Sequence, residues 1–283
     1  MIYFFGGREK KPPFLPMTKP KYNPKDQPKY ENPPVVEVAI GVTFEKLPNF
    51  KLPHTGLFWG KIKSEFPHCE HASPMGSKEE VFDSKISLPI PRIWLINETR
   101  DKLIQLQDTR FYFNWRKTGG KPEYPSYDEI KKTFLVHWTN FNKFLGKIGQ
   151  DPVNITNCEL SYINHIPKDQ GWSKLSEINK VFPNIDWSKT QNGFLKNPNA
   201  ISSLTVFPFP DGKGTLTVKI ESAIRNLDSL PIISLEMATK GLGEDKSDDA
   251  VWKWFELAHD WIVRGFADLT DLKVQEKIWK KYK

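Results

Sequence analysis

His68, Cys69 and His71, with Glu70 between them, set three donors of zinc-binding type within four residues. A closed zinc site needs four ligands in a tetrahedral arrangement. The other candidates lie far off in sequence and adjacent ligands crowd one another, so the segment reads as a polar loop and no metal is expected. Cys158 sits in an apolar alternating stretch and reads as a small core residue; Cys69 is the more exposed thiol, with no ordered His and Asp set around it. His137 and His259 flank the apolar stripes of helical segments, and neither reads as catalytic. Glu37, Glu159, Glu221 and Glu236 all fall in strand-like stretches. On a sheet face left open by helices they would line a surface with Thr217, Lys219, Gln105 and Gln107, where two converging carboxylates could exchange protons with a substrate. A solvated polar face is the simpler reading, so enzymatic chemistry stands third among the functions considered.

Phosphate chemistry is no better served. Gly212-Lys213-Gly214 reads as a hairpin. Gly241-Leu242-Gly243 precedes a helix start, but Glu244, Asp245, Asp248 and Asp249 would repel an anion there. No cofactor is expected. The run from Arg110 to Lys117 alternates so that Phe111, Phe113 and Trp115 share one face and Arg110, Tyr112, Asn114 and Arg116 the other. With Lys219, that second set is the candidate nucleic-acid face, able to stack and clamp a single strand; the plainer reading is a strand with one buried and one wet side.

The elements that position these residues are legible from periodicity. Val36, Val38, Ile40, Val42 and Phe44 alternate with polar or small residues, the period of a half-buried strand. Phe58, Ile62 and Phe66 fall on one side of a helix ending near Pro67; His68 to Ser84 reads as irregular. Strands are expected at about 86–97, 102–107 and 110–116. Ser126 and Glu129 form a capping box, and Ile130, Phe134, Trp138, Phe141, Leu145 and Ile148 then recur at helical spacing until Gly149. The order recurs: a strand over 153–166, a short helix through Leu175, Ile178 and Phe182, and alternating stretches around Leu204, Leu216 and Ile233. A long helix follows, carrying Val251, Trp254, Ala258, Trp261, Ile262 and Leu269. The predicted fold is α+β: two β-α-β-β-β-α units, residues 35–150 and 151–270, forming antiparallel sheet with long helices on one side and a possible pseudo-twofold duplication. The TATA-binding protein saddle and helix-grip proteins share that order of elements by analogy only.

Residues 1–34 hold eight prolines and a local charge of +4, much of the chain's formal +7. They predict an extended basic arm that lacks the apolar content to fold alone. Its tip, Ile2, Tyr3, Phe4 and Phe5, with Arg8, Lys10 and Lys11, is the candidate partner-binding segment. Residues 271–283 add five lysines and Trp279 on a short basic helix. Two lone cysteines, no signal peptide and no apolar run of membrane-spanning length lead to the expectation of a cytoplasmic protein without membrane contact.

Tyr30-x-Asn32-Pro33-Pro34-Val35-Val36-Glu37, Leu103-Ile104-Gln105-Leu106-Gln107 followed by Arg110-Phe111 and Asn114-Trp115, and Leu160-x-Tyr162-Ile163-Asn164-x-Ile166 stand in order. With Phe266-x-x-Leu269-Thr270 and Trp279, the chain resembles, over about residues 30–280, a sporadically distributed prokaryotic family of uncharacterised function. It departs at His165, where members often carry Arg, and in residues 1–29, which look like an extension. The resemblance implies a bacterial protein of patchy occurrence, a pattern common among accessories of mobile elements and antiviral defence, CRISPR-associated systems included. It implies no activity. The function expected is therefore a non-enzymatic accessory that binds another macromolecule. A protein partner leads because the folded body has no basic run, and nucleic acid is the alternative.

Overall fold

A computed structural model of the chain describes residues 27–75, 90–119, 123–187, 194–195 and 197–283. The arm tip, Ile2 to Phe5 with Arg8, Lys10 and Lys11, lies outside the described residues. The elements in chain order are β1 (Val35–Phe44), α1 (Leu52–Ile62), β2 (His68–Ala72), β3 (Arg92–Ile96), β4 (Lys102–Gln107), β5 (Arg110–Arg116) and α2 (Tyr127–Lys147). There follow β6 (Ile155–Pro167), β7 (Ser202–Pro208), β8 (Thr215–Ile224), β9 (Pro231–Gly241), α3 (Asp248–Leu269) and α4 (Leu272–Lys277). The nine strands form one antiparallel sheet in the order β2-β3-β4-β5-β1-β6-β9-β8-β7. The fold is α+β.

Alternation along each strand decides which face is covered. Ile40 pairs with Phe113 on one side and Leu160 on the other, so one apolar row crosses from β5 through β1 to β6. Side chains one residue along, Glu37, Ala39 and Gly41 among them, point to the opposite face. The helices cover the apolar side: α2 lies on β5 and β1, and α3 on β6, β9 and β8. Helix α2 starts where Ser126 Oγ accepts the Glu129 N–H at 3.3 Å, and the stripe expected from its spacing is buried, with Phe134 and Phe141 at 0% exposure. Phe141 packs edge-on against Phe58 of α1 at 5.2 Å and stacks on Phe111 at 5.0 Å, which joins both helices to the sheet. Ser247 caps α3 through the Ala250 N–H. The two long helices meet where Phe134 touches Phe255, with ring centroids 5.8 Å apart.

Four departures from the expected pattern have physical causes. His68–Ala72, expected to be irregular, is a strand: β2 pairs with β3 as an edge, and an edge with two wet faces shows no apolar alternation. The first half therefore carries four strands after α1 where three were expected, and β3 begins at Arg92; residues 86–89 of the expected strand lie outside the described ones. Residues Leu175–Lys180 form a 3-10 turn in place of an α-helix. The described part of the Pro-rich stretch, from Gln27, is tied by backbone bonds to the C-terminus: Lys29 N–H to Lys283 O, Glu31 N–H to Lys280 O and Tyr282 N–H to Lys29 O. Tyr30 packs on Phe266 and on the buried Trp279. The C-terminal segment, expected as a short basic helix, is the counterpart of that strap.

Candidate functional site

The uncovered sheet face carries the residues singled out for chemistry, and most of them are bound to one another. Asn114 is 3% exposed and Tyr112 5%. Asn114 Nδ2 donates to Glu37 Oε1 at 2.6 Å and its Oδ1 accepts from Gln105 Nε2 at 2.7 Å. Gln105 Oε1 in turn accepts from Trp94 Nε1 and Arg92 Nη1, both at 3.1 Å. The guanidinium groups of Arg92 and Arg116 lie 5.3 and 5.7 Å from the Trp94 ring centre. On β6, Glu159 accepts from the Tyr112 hydroxyl at 2.7 Å and pairs with Lys240 at 3.0 Å. Lys219 pairs with Glu221 at 2.7 Å. Gly41 is required beneath this layer, since a Cβ there would stand 2.2 Å from the Tyr112 ring.

The structure thus places Arg110, Tyr112, Asn114, Arg116 and Lys219 on one face, as the alternation predicted, but not as a nucleic-acid clamp. Stacking needs an accessible ring face, and Tyr112 is buried against Gly41 and bonded to Glu159. Arg110 bonds Tyr112, and Lys219 is held by Glu221. The strand carboxylates fare likewise. Burial raises the Glu37 carboxyl above the usual carboxylate range, against the Asn114 hydrogen bond and the Arg116 charge. None of the three principal cavities among the described residues is lined by Glu37, Glu159, Glu221 or Glu236. No group of three His, Cys, Asp or Glu side chains suited to a metal occurs among the described residues, and His68, Cys69 and His71 are spread along β2. Burial pushes the Cys158 thiol up to about 12, as befits an inert core residue. His137 is buried with Nε2 3.3 Å from Glu65.

A surface that residue typing did not single out lies at the far end of the sheet. β7 is its last strand, and among the described residues nothing pairs with its outer edge. Leu204 is 66% exposed and Val206 53%, and Phe207 is exposed on the other face. The bonds Ser222 N–H to Ile201 O and Phe209 N–H to Gly214 O turn the odd-numbered peptide groups toward β8. The N–H and C=O groups of Ser202, Leu204 and Val206 therefore face outward, without a partner among the described residues. The run 197–210 has no charged residue, in a chain that is 27% charged. That run was the available signal, but apolar alternation in a strand reads as core until its position in the sheet is known.

No family model and no curated protein matches the chain. Among solved structures, the di-domain ARO/CYC StfQ from the steffimycin biosynthetic pathway aligns over 82% of this chain and 96% of its own, at 8% identity and a TM-score of 0.19. A likeness that low carries no argument about fold or activity. Function must therefore be read from the surfaces themselves. No helix among the described residues is long and apolar enough to cross a membrane.

Proposed function

We propose that the chain is a non-enzymatic accessory protein that binds a protein partner by strand addition at β7, the partner supplying an extended segment with apolar side chains at alternate positions. In this mode main-chain hydrogen bonds give affinity and alternate side-chain contacts give selectivity. The observation that carries the reading is the bare, uncharged, apolar edge of β7. Exposed edges of that kind invite uncontrolled pairing, and proteins ordinarily blunt them with charge, proline or a cover; β7 has no charge, and its one proline, Pro208, stands at its last residue. The family resemblance adds a setting, an accessory of a mobile or antiviral defence system in the cytoplasm.

The strand order supports a second part of the proposal. Reading outward from the central β1–β6 pair, β5, β4 and β3 on one side correspond to β9, β8 and β7 on the other, with α2 and α3 as counterparts. We take the two halves as pseudo-twofold copies to which β2 is an addition. By that correspondence β7 stands where β3 stands, and β2 covers the outer edge of β3. The partner segment would take, beside β7, the place that β2 fills beside β3.

Affinity purification from the native host tests the reading. The wild-type chain is expected to recover one stoichiometric protein that resists salt, and Val206→Lys or Leu204→Pro to lose it while keeping the fold, because neither change removes a bond to β8. The arm tip at Ile2 to Lys11 is a second contact if deletion of residues 1–26 weakens recovery. Equal recovery by the edge variants, or recovery of nucleic acid alone with steep salt dependence, would overturn the proposal.

A further inference from the structure

A cavity of about 500 Å³ opens at the seam between the two halves. Its walls come from the strap Gln27–Val35, the entry to α2 at Tyr124–Asp128, the end of β6 and one side of α3. That volume lies in the range of small-molecule sites. Four side chains give the interior its chemistry.

Tyr162, 4% exposed, projects from β6, and its hydroxyl lies 3.0 Å from that of Tyr124. Two hydroxyls bring two protons, and one contact between them uses one. Neither makes another hydrogen bond among the described residues, so one O–H donor is left for the cavity. Asn164, 2% exposed, spends its Nδ2 on Leu235 O at 3.2 Å, and its carboxamide oxygen has no protein donor among the described residues. The His259 ring lies flat on Tyr127, with centroids 3.9 Å apart and planes 4° from parallel, and inclines toward Tyr162 at 6.2 Å. Neither ring nitrogen has a hydrogen-bond partner among the described residues. Burial, helped by the Lys131 charge, pushes its pKa down to about 4, so the neutral ring presents one donor and one acceptor.

The remaining lining is largely apolar, with few charges. Met237, Ile262, Val263 and Phe266 are apolar, and Asp128 and Glu256 stand near the mouth. Glu256 is already paired with Lys131. Lys29, exposed, also lines the cavity, one lysine against the carboxylates of Asp128 and Glu256, and the polar groups of the buried wall, Tyr124, Tyr162, Asn164 and His259, are neutral. A flat ring can lie against the apolar wall while its edge meets the phenol, amide and imidazole groups.

We infer that this seam cavity is a binding site for an uncharged planar heterocycle carrying an acceptor oxygen and a donor N–H, with the Tyr124–Tyr162 hydroxyl pair, Asn164 and His259 supplying the polar contacts. The inference is independent of the edge-strand reading, since the cavity is remote from β7 in the sheet order and shares no residue with it.

Isothermal titration of the full-length chain with uridine and inosine, beside their 5′-monophosphates, tests it. At least one nucleoside is expected to bind at one site per chain, more tightly than its monophosphate. Tyr162→Phe and Tyr124→Phe each keep the ring and remove a hydroxyl, and each should weaken that binding about 5- to 10-fold, the loss of one hydrogen bond. His259→Leu gives an independent test if either phenylalanine variant folds poorly. Val206→Lys should bind as wild type. Absence of binding by both nucleosides at millimolar concentration, unchanged affinity in the folded variants, or tighter binding of the monophosphates would overturn the inference.

Discussion

The two edges of the sheet are built differently. At β2 the edge residues are His68, Cys69, Glu70 and His71, with Glu70 paired to Arg100 at 2.5 Å and His68 3.3 Å from Glu98. At β7 they are Ser202, Leu204, Val206 and Phe207, without a charge from residue 197 to 210. Both edges end the same sheet, so packing against the core does not explain the difference. Charge and short length protect β2 from pairing with foreign strands. β7 lacks both, and its outward hydrogen-bonding groups have no partner among the described residues, which is the property a strand-accepting surface requires.

The contrast can be broken most severely by introducing at β7 what β2 already has. Val206→Lys is expected to abolish partner recovery, and a lysine at Cys69 on β2 to leave it intact; loss in both would remove the distinction between the edges. Stability sharpens it next. Phe141→Ala, beneath the sheet, should destabilise by about 3–5 kcal/mol in chemical denaturation. Leu204→Ser, at an exposed position of β7, should stay within about 0.5 kcal/mol. A large loss at Leu204 would mean that the edge is covered in the native fold. Gly41→Ala should also destabilise, since the Tyr112 ring must move from β1 and loosen its bond to Glu159.

A further effect is with pH and should be the same in both sets of edge variants. Burial lowers the pKa values of His137, His165 and His259, the last to about 4. Each binds its proton less readily in the folded chain, so the unfolded chain takes up more protons as pH falls. Stability is therefore full above about pH 6.5 and declines toward pH 4. Thermal melts from pH 7 to 4.5 should show that slope, reduced in His259→Gln; a flat profile would refute it.

Much of this fold is legible from local periodicity. The cap at Ser126 and the stripe from Ile130 to Leu145 specify α2 without reference to anything distant, and the alternation of β1 states which face is core. Long-range placement is not written in the same way. Leu204 and Val206 have the pattern of a core strand, but they stand on the uncovered face opposite Lys219 and Thr217, at the end of nine strands, and are exposed. β2 was missed for the converse reason, being polar on both faces. Tyr124 and Tyr162 are 38 residues apart, and His259 is further still, so the seam cavity exists only once β6 and α3 are set beside the entry to α2. The prolines of the strap suggested an unfolded arm because its partner, the C-terminus, lies at the opposite end of the chain.

Residue-resolved amide hydrogen exchange on β7 tests the central claim most directly. In the isolated protein, the amides of Ser203, Thr205 and Phe207, bonded to β8, should be protected, and those of Ser202, Leu204 and Val206 should exchange freely; all six should be protected once the co-purified partner is bound. Protection of the three outward amides in the isolated chain, or no change in them on adding that partner, would contradict strand addition at this edge.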